Sequence, residues 1–247
     1  MSIFLPLYLR MTKNRFRRQF NPLCDAGKHA CLVSMPSDAA GFIRALPFVL
    51  GLSKTDTVVL LLPKNLEGLY SIITIKKCET VFYEKRPAVF SAEYRRLHEQ
   101  LGERKFDFLI ELSTPPNTSL PHLYRVERRV TFFDTNSFPY YNILIKDGYA
   151  SLMRFFGISE ESTKGIFHFQ NRDLRAVEKR LGKARPLLFV NEHDPVGWDG
   201  GRIVLGTDVM PEDLVVWKML YIADAYCGAR DAFYEFAVLN EKRILDG

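Results

Sequence analysis

The chain has 247 residues, of which 47% are hydrophobic and 26% are charged. These fractions are typical of an ordinary globular protein and exclude fibrous, low-complexity and extensively disordered classes. No apolar run approaches the roughly 18 to 20 residues of a membrane-spanning helix, so no span is predicted. The length is sufficient for one large or two small domains, each with its own core.

The net charge of +5 is concentrated at one end of the sequence. Five of the 34 basic residues lie within the first 20 positions, where no acid occurs, and the other basic residues equal the 29 acidic residues in number. The five are Arg10, Lys13, Arg15, Arg17 and Arg18. Nucleic-acid recognition requires positive charge spread over a face of the folded domain, so no nucleic-acid partner is predicted.

Residues 1–28 are predicted to form a basic N-terminal arm. Leu9, Phe16 and Phe20 share one face of a helix, with arginines around the remainder. One interpretation is a basic amphipathic segment that lies on an anionic membrane surface. The alternative is a solvated arm or a helix packed on the folded body. Positive charge follows the first apolar run instead of preceding it, which argues against a secretory signal.

Four cysteines and five histidines are scattered along the chain, without the CxxC, HxH or HExxH spacing of metal sites. The cysteines are Cys24, Cys31, Cys78 and Cys227. Reduced thiols in a cytoplasmic protein are the simplest interpretation, and no metal site is predicted.

The stretch at residues 29–54 predicts a buried strand followed by a helix. Residues 30–35 are largely apolar, and apolar residues then recur at helical spacing from Phe42 to Leu50. Between them, Ser37 and Asp38 are residue types that cap helix N-termini. In open α/β sheets such a turn lies at the carboxyl ends of the strands, where ligands bind.

The same alternation continues along the chain. Further strands are predicted at residues 56–62, 79–83, 106–112 and 129–133, with helices at 66–75, 91–104 and 149–156. Continuous Val, Ile, Leu and Phe runs separated by helices are typical of a parallel sheet covered on both faces. Residues 159–163 are polar enough to be a linker, so an N-terminal Rossmann-like domain is predicted over residues 29–158.

The second half resumes this pattern on a smaller scale. Strands are predicted at residues 165–169, 187–191, 202–205, 225–227 and 243–245, and helices at 173–181, 211–223 and 230–239. This predicts a small C-terminal Rossmann-like domain over residues 164–247. The predicted fold class is therefore α/β, with two Rossmann-like domains that face across a cleft, the second of them reduced.

Several strings of residues resemble the heptosyltransferase-like glycosyltransferases of family nine, which have the two-domain GT-B architecture. Arg44-Ala45-Leu46-Pro47 looks like that family's "halP", FDFLIEL at residues 106–112 looks like "yDlvidlq", and Arg128-Arg129-Val130 looks like "RiGf". LYIADAYCGARDAFYEFA at residues 220–237 looks like "lliaradllvtnDTGpmHlA". The resemblance covers residues 30–245.

The motifs that carry the family's chemistry are largely missing, so the resemblance is to a diverged relative. The family's Gly-Asp pair before the first helix falls on Ala40-Gly41, and the nearest carboxylate is that of Asp38. The donor-loop string D-T-G-x-x-H falls on Arg230-Asp231-Ala232, with Glu235 in place of the histidine.

The resemblance implies transfer of a sugar from a nucleotide-sugar donor to a surface-glycan or lipid-linked acceptor, with no cofactor and no obligatory metal. Such a reaction needs a carboxylate to accept the acceptor's proton and donors to stabilise the departing diphosphate. Asp38 is the candidate catalytic base, and the alternative is that it only caps its helix.

The donor-binding candidates lie in the second half. Arg230 begins a predicted helix, whose N-terminus is a ready anion site, and Asp231 beside it partly cancels that charge. A surface ion pair is the alternative for these two. Asn191 and His193 end a strand at the same edge and would meet a nucleotide base or ribose, unless they only build a polar turn.

The acceptor-binding candidates are Lys64, Asn117, Ser119 and Arg128, which lie near predicted strand ends facing the cleft. Lys64 or Arg128 would hold a phosphate or carboxylate of the acceptor, and a solvated charge is the alternative for each.

Two functions remain open from the sequence. The first is a cytoplasmic glycosyltransferase of the heptosyltransferase type. The second is a non-catalytic, diverged relative, a pseudoenzyme that serves as a binding or assembly module. The predicted partners are a nucleotide-sugar or nucleotide diphosphate, and a protein or an anionic membrane surface at the inner face of the membrane, contacted through the basic arm.

Overall fold

The computed structural model describes residues 4–17, 27–73, 75, 77–124, 126–159, 166–167, 169–192 and 197–245. The chain divides into two compact units. The first comprises Met1–Ser37, Ala45–Glu67 and Ile75–Glu161, and the second comprises Asp38–Arg44, Gly68–Thr74 and Ser162–Gly247. The domain boundary predicted at residues 159–163 falls mostly outside the described residues and stays a prediction.

The first unit is built on a six-stranded parallel sheet. Its strands are β1 (Ala30–Ser34), β2 (Thr57–Pro63), β3 (Cys78–Tyr83), β4 (Phe108–Glu111), β5 (Arg128–Phe132) and β6 (Ile143–Ile145). They are ordered β3-β2-β1-β4-β5-β6, and every neighbouring pair is parallel. The direction of this order reverses between β1 and β4, at the crevice where open α/β sheets bind ligands.

Six helices alternate with these strands along the described chain, although the start of α2 and most of α3 belong to the second unit. They are α1 (Phe4–Arg17), α2 (Ala39–Thr55), α3 (Glu67–Tyr70), α4 (Ala92–Leu101), α5 (Leu120–Leu123) and α6 (Gly148–Phe155), with a 3-10 turn at Lys64–Leu66 before α3. All residues of β4 and nearly all of β1 and β2 are buried. Because successive side chains of a strand point to opposite faces, this part of the sheet is covered on both sides.

Helix α1 packs on the first unit. Its Phe16 is 6% exposed and belongs to the same core cluster as Leu32 of β1. The hydroxyl of Tyr140 donates to the main-chain oxygen of Leu9 at 2.5 Å, and the guanidinium of Arg129 lies 5.2 Å from the Phe16 ring. The described part of the basic arm is therefore a helix packed on the folded body, one of the alternatives that the sequence left open.

The second unit has a four-stranded parallel sheet of its own, ordered β10-β9-β7-β8. Its strands are β7 (Leu187–Asn191), β8 (Gly201–Val204), β9 (Ala225–Gly228) and β10 (Arg243–Leu245), and its helices are α7 (Asn171–Leu181), α8 (Val215–Ile222) and α9 (Ala232–Leu239). Aromatic contacts fill the core, where Trp217 of α8 lies 4.9 Å from Phe233 and 5.3 Å from Phe236 of α9.

Several segments differ from the sequence prediction, including the short helix α5, which was not predicted. β6 was not predicted, and the helix predicted at residues 66–75 ends at Tyr70, before the β-branched Ile72 and Ile73, which disfavour helix. In place of a strand at residues 165–169, Phe167 forms an isolated bridge with Ile73, and two of those five residues lie outside the described ones. The helix predicted from residue 211 begins at Val215, after a turn.

No helix among the described residues combines the length and the apolar character that crossing a bilayer requires.

Candidate functional site

Asp38 lies exposed in the turn between β1 and α2. Its Oδ1 accepts a hydrogen bond from the main-chain N–H of Gly41 at 2.7 Å, and its main-chain oxygen accepts from the N–H of Phe42 at 3.0 Å. The carboxylate thus satisfies one of the orphan donors in the first turn of α2, as a capping residue does. Within the described residues, its Oδ2 has no side-chain partner, so one carboxylate oxygen remains open to solvent.

A second carboxylate lies at the reversal point of the first sheet. Glu111 ends β4 beside Ser34, its register partner at the end of β1, and its side chain is fully buried. Its Oε1 accepts from the N–H of Ser113 at 2.9 Å, whereas Oε2 has no hydrogen-bond partner. Burial raises the pKa of Glu111 to about 7, and the positive charge of Arg86 opposes this shift. The protonated and ionised forms of Glu111 are therefore both populated near neutral pH.

The sequence reasoning missed Glu111, although a signal was present. It is the one carboxylate at the end of the apolar run at residues 108–112, and in the family string "yDlvidlq" the matching letter is also an acid. What could not be seen in the sequence was that this side chain would be fully buried, with one carboxylate oxygen lacking a hydrogen-bond partner.

Asn117 and Ser119 are brought together in the loop that follows β4, and both are buried. The Asn117 amide donates to the main-chain oxygen of Pro87 at 2.9 Å, and its Oδ1 accepts from the N–H of Ser119 at 3.0 Å. The hydroxyl of Tyr141 donates to the main-chain oxygen of Asn117 at 2.6 Å. These groups hold the loop in place, so their binding role stays a prediction.

Lys64 lies at the carboxyl end of the strands of the first sheet, and Arg128 lies at their amino end. Lys64 follows the carboxyl end of β2, is exposed, and pairs with Glu67 at 2.8 Å. Arg128 begins β5 and is buried, with its guanidinium 5.3 Å from the ring of Phe108, the first residue of β4. Because parallel strands start at the amino edge of the sheet, Arg128 does not lie beside the other acceptor candidates, contrary to the placement expected from the sequence.

In the second unit, two predicted donor-binding residues contact each other. Asn191 ends β7 and is buried, and its Nδ2 donates to Oδ2 of Asp231 at 2.8 Å and to the hydroxyl of Tyr226 at 3.0 Å. Oδ1 of Asp231 accepts from the N–H groups of Phe233 at 2.8 Å and Tyr234 at 3.2 Å. Asp231 therefore caps α9 and ties the start of that helix to the end of β7.

This contact depends on the close approach of β9 to β7. Gly228, the last residue of β9, has φ of 144°, and a Cβ atom placed on it would lie 1.8 Å from the main-chain oxygen of Asn191. Only glycine fits there, because any side chain would clash with the neighbouring main chain.

The electrostatics of the α9 start differ from those of an open anion site. Arg230 is exposed and its guanidinium lies 5.7 Å from the Tyr234 ring, but the carboxylate of Asp231 already occupies two of the first N–H groups. Glu235, which takes the place of the family's histidine, accepts from Nε of Arg44 at 3.0 Å, and both residues belong to the second unit. His193 lies outside the described residues.

Metal and thiol chemistry find no support in this part of the chain. Within the described residues, no group of three or more His, Cys, Asp or Glu side chains is placed to hold a metal ion. Cys31 and Cys227 are buried, reduced thiols, and burial raises the pKa of Cys31 and raises that of Cys78 to about 12. The thiols of Cys31 and Cys78 thus stay protonated and weakly nucleophilic near neutral pH.

The sequence matches no protein-family model and no curated protein. Among solved structures, the chain is similar to the family 9 glycosyl transferase from Veillonella parvula DSM 2008, with a TM-score of 0.64 and 12% identity over 90% of this chain and 81% of that one. It is also similar to the E. coli ADP-heptose LPS heptosyltransferase II, with a TM-score of 0.59 and 11% identity over 88% of this chain and 84% of that one.

A third similar structure is an E. coli heptosyltransferase with ADP-2-deoxy-2-fluoro heptose, at a TM-score of 0.55 and 13% identity over 88% of each chain. At these identities the likeness establishes the fold. The α/β class and the structural resemblance to family-nine glycosyltransferases, both predicted from the sequence, are confirmed.

Proposed function

We propose that the protein is a glycosyltransferase of the heptosyltransferase type, which transfers a sugar from a nucleotide-sugar to a surface-glycan or lipid-linked acceptor. The observation that carries the proposal is the fold, which extends over about 90% of the chain and is shared with a family-nine glycosyl transferase. The likeness extends over both sheets, whereas a protein that shared only one nucleotide-binding domain with the neighbour would match over one sheet. The ligands named for the similar structures make ADP-sugars the first donors to test, and ADP the first nucleotide to test for binding.

In this proposal the second unit binds the donor. The exposed guanidinium of Arg230 contacts the diphosphate, and the pair formed by Asn191 and Asp231 contacts hydroxyl groups of the nucleotide. Carboxylate and amide side chains at strand carboxyl ends suit ribose hydroxyls, because they offer both hydrogen-bond donors and acceptors.

Asp38 is the proposed base. Its free Oδ2 accepts the proton of the acceptor hydroxyl as the new bond to the anomeric carbon forms. The bond from that carbon to the β-phosphate oxygen breaks at the same time, and the nucleoside diphosphate leaves with the electron pair. A lipid-linked acceptor would bring this reaction to the inner face of a membrane.

A second candidate function is a non-catalytic relative that acts as a binding or assembly module. The observation that favours it is the carboxylate of Asp231, which fills the N–H groups at the start of α9 and adds negative charge where a diphosphate would lie.

Thermal unfolding with a panel of ADP, UDP, ADP-sugars and UDP-sugars tests nucleotide binding directly. A ligand at one hundred times its dissociation constant stabilises the protein by about 2.7 kcal/mol. We expect stabilisation by at least one nucleotide, and we expect Arg230→Gln to reduce it while Arg175→Gln, which removes an exposed charge from α7, does not. No stabilisation across the panel would refute the transferase proposal.

Transfer itself is measured as nucleoside diphosphate released from the stabilising donor. We expect Asp38→Asn to keep the nucleotide-induced stabilisation and to lower the release rate at least a hundredfold, because general-base catalysis contributes about 10²- to 10⁴-fold. Binding without any release by the wild-type protein, over a panel of acceptors, would support the non-catalytic candidate.

A further inference from the structure

Helix α1 has two different faces. The inner face packs on the first unit through Leu9 and Phe16. On the outer face, Leu7 is 55% exposed and Met11 is 73% exposed. These two residues are four positions apart, so they lie one above the other on a single stripe of the helix. The part of α1 away from the core is therefore apolar along this stripe, although packing on the domain does not require it to be.

A further exposed apolar residue, Phe90, contacts α1 through Tyr8. Its side chain is 63% exposed, and its ring meets the ring of Tyr8 in α1 edge to face, with centroids 5.0 Å apart. The residue has φ of 70°, a left-handed conformation that bulky residues rarely adopt and that costs free energy. The first unit thus holds a large aromatic ring in water, in a strained backbone conformation, next to the outer face of α1.

The charged side chains of α1 itself are all basic. Arg10 and Arg15 are exposed and Lys13 is half-buried, and α1 contains no acidic residue. Within the described residues, none of these three side chains forms an ion pair. Exposed apolar side chains on a helix that also carries unpaired Lys and Arg are the composition of helices that lie in an anionic lipid interface.

We propose that the outer face of α1, together with Phe90, docks the protein on an anionic lipid bilayer. Leu7, Met11 and Phe90 enter the region between headgroups and acyl chains, and Arg10 and Arg15 contact lipid phosphates. The inference deepens the proposed function and rests on it for its purpose, because a lipid-linked acceptor would be met at that surface. Charge complementarity favours lipid as the occupant, since Arg10, Lys13 and Arg15 form no ion pair among the described residues and remain available to lipid phosphates.

Co-sedimentation of the full chain with vesicles tests the docking. We expect binding to vesicles that contain phosphatidylglycerol and little binding to vesicles of phosphatidylcholine alone. Each basic residue close to an anionic surface contributes roughly fivefold to partitioning, so Arg10→Gln with Arg15→Gln should weaken binding by about 10- to 30-fold. Met11→Ser with Phe90→Asn should weaken it as well, since asparagine tolerates the left-handed conformation.

Matched controls come from the second unit. Arg175→Gln with Lys179→Gln removes the same charge from exposed positions four residues apart on α7, and Met210→Ser removes another exposed methionine. These variants should bind vesicles as the wild type does. Wild-type protein that fails to bind anionic vesicles, or α1 variants that bind like the controls while melting at the wild-type temperature, would overturn the docking surface.

The nucleotide panel is measured separately on the same proteins. Stabilisation by a nucleotide without vesicle binding would overturn the docking surface and leave the transferase proposal intact. Vesicle binding without any nucleotide response would support the docking surface and refute the transferase proposal.

Discussion

The ionisation of Glu111 should be visible in the stability of the protein. Burial raises its pKa from 4.5 to about 7, so the folded state holds this proton more tightly than the unfolded chain does. For a carboxyl group shifted upwards, the contribution to stability is complete below pH 4.5 and is lost as the pH rises through 7. The pKa difference corresponds to about 3 kcal/mol in the free energy of unfolding.

The substitution Glu111→Gln removes the titrating group and keeps its size. Relative to this variant, the wild type should lose roughly 2 to 3 kcal/mol of unfolding free energy between pH 5 and pH 8. A constant offset between the two proteins is also expected, because the new amide must find hydrogen-bond partners of its own. Urea unfolding at four pH values separates the two effects, since only the titration changes the slope with pH.

Substitution of a charged group near Glu111 gives a second test of the same explanation. The tyrosines at positions 83 and 141 are buried and stay neutral over this range, so Arg86 is the neighbouring charge. Arg86→Gln should raise the pKa of Glu111 further and move the loss of stability to higher pH. Glu79→Gln is the control, because Glu79 is exposed and its pKa is lowered by Arg104. Parallel stability profiles for the wild type and Glu111→Gln would refute the reasoning.

Three further substitutions test contacts that lie inside one unit or the other. Gly228→Ala should lower the free energy of unfolding by more than about 2 kcal/mol, because its Cβ would meet the main chain at the end of β7. Arg129→Met should lower the free energy of unfolding by about 3 kcal/mol, since two buried carbonyls lose a charged donor. Because the Arg129 guanidinium also contacts the Phe16 ring of α1, trypsin should then cleave α1 faster. Asp231→Ala should cost about 1 kcal/mol as a lost helix cap, and Asp231→Asn much less. Urea unfolding measures all three.

Each of these predictions has a result that contradicts it. Gly27→Ala, where a new Cβ meets nothing within 4 Å, should change stability by less than about 0.5 kcal/mol, and an equal loss at both glycines would exclude the clash as the cause. A trypsin cleavage rate in α1 that is unchanged by Arg129→Met would show that the helix is not held through this residue. Equal losses for the two Asp231 variants would show that the cap does not act through its side-chain oxygen.

The sequence predicted the strands that carry long apolar runs. The strand predicted at residues 187–191 is β7 itself, and β1 and β2 were placed within one residue, because buried parallel strands are continuous in Val, Leu and Ile. β6 has three residues and was missed, whereas the equally short β10 was predicted at residues 243–245; β6 is a strand through its pairing with β5. Strand pairing of that kind is a property of the assembled sheet and is not encoded in a local pattern.

The part of the candidate site that was predicted is the part that depends on local sequence patterns. Capping residue types before a helix are a local signal, and Asp38 and Asp231 both cap the helices that follow them. The contact between Asn191 and Asp231 spans 40 positions and arises because β7 and β9 are neighbours in the sheet. The burial of Glu111 depends on which side chains surround it, which only the folded structure shows.

Asp231 both occupies the first N–H groups of α9 and adds a negative charge there, and either effect would oppose the binding of a diphosphate. Substitutions of Asp231 distinguish the two effects. If occupied N–H groups are the obstacle, a nucleotide must displace a cap worth about 1 kcal/mol, which Asp231→Asn would largely preserve and Asp231→Ala would remove. If negative charge is the obstacle, both variants remove it, and both should bind ADP more tightly than the wild type. If Asp231 instead contacts the nucleotide's hydroxyl groups as proposed above, Asp231→Ala should bind ADP more weakly than the wild type. Titration of ADP into the three proteins therefore distinguishes occupancy from charge, and tighter binding by Asp231→Ala alone would identify the cap as the barrier.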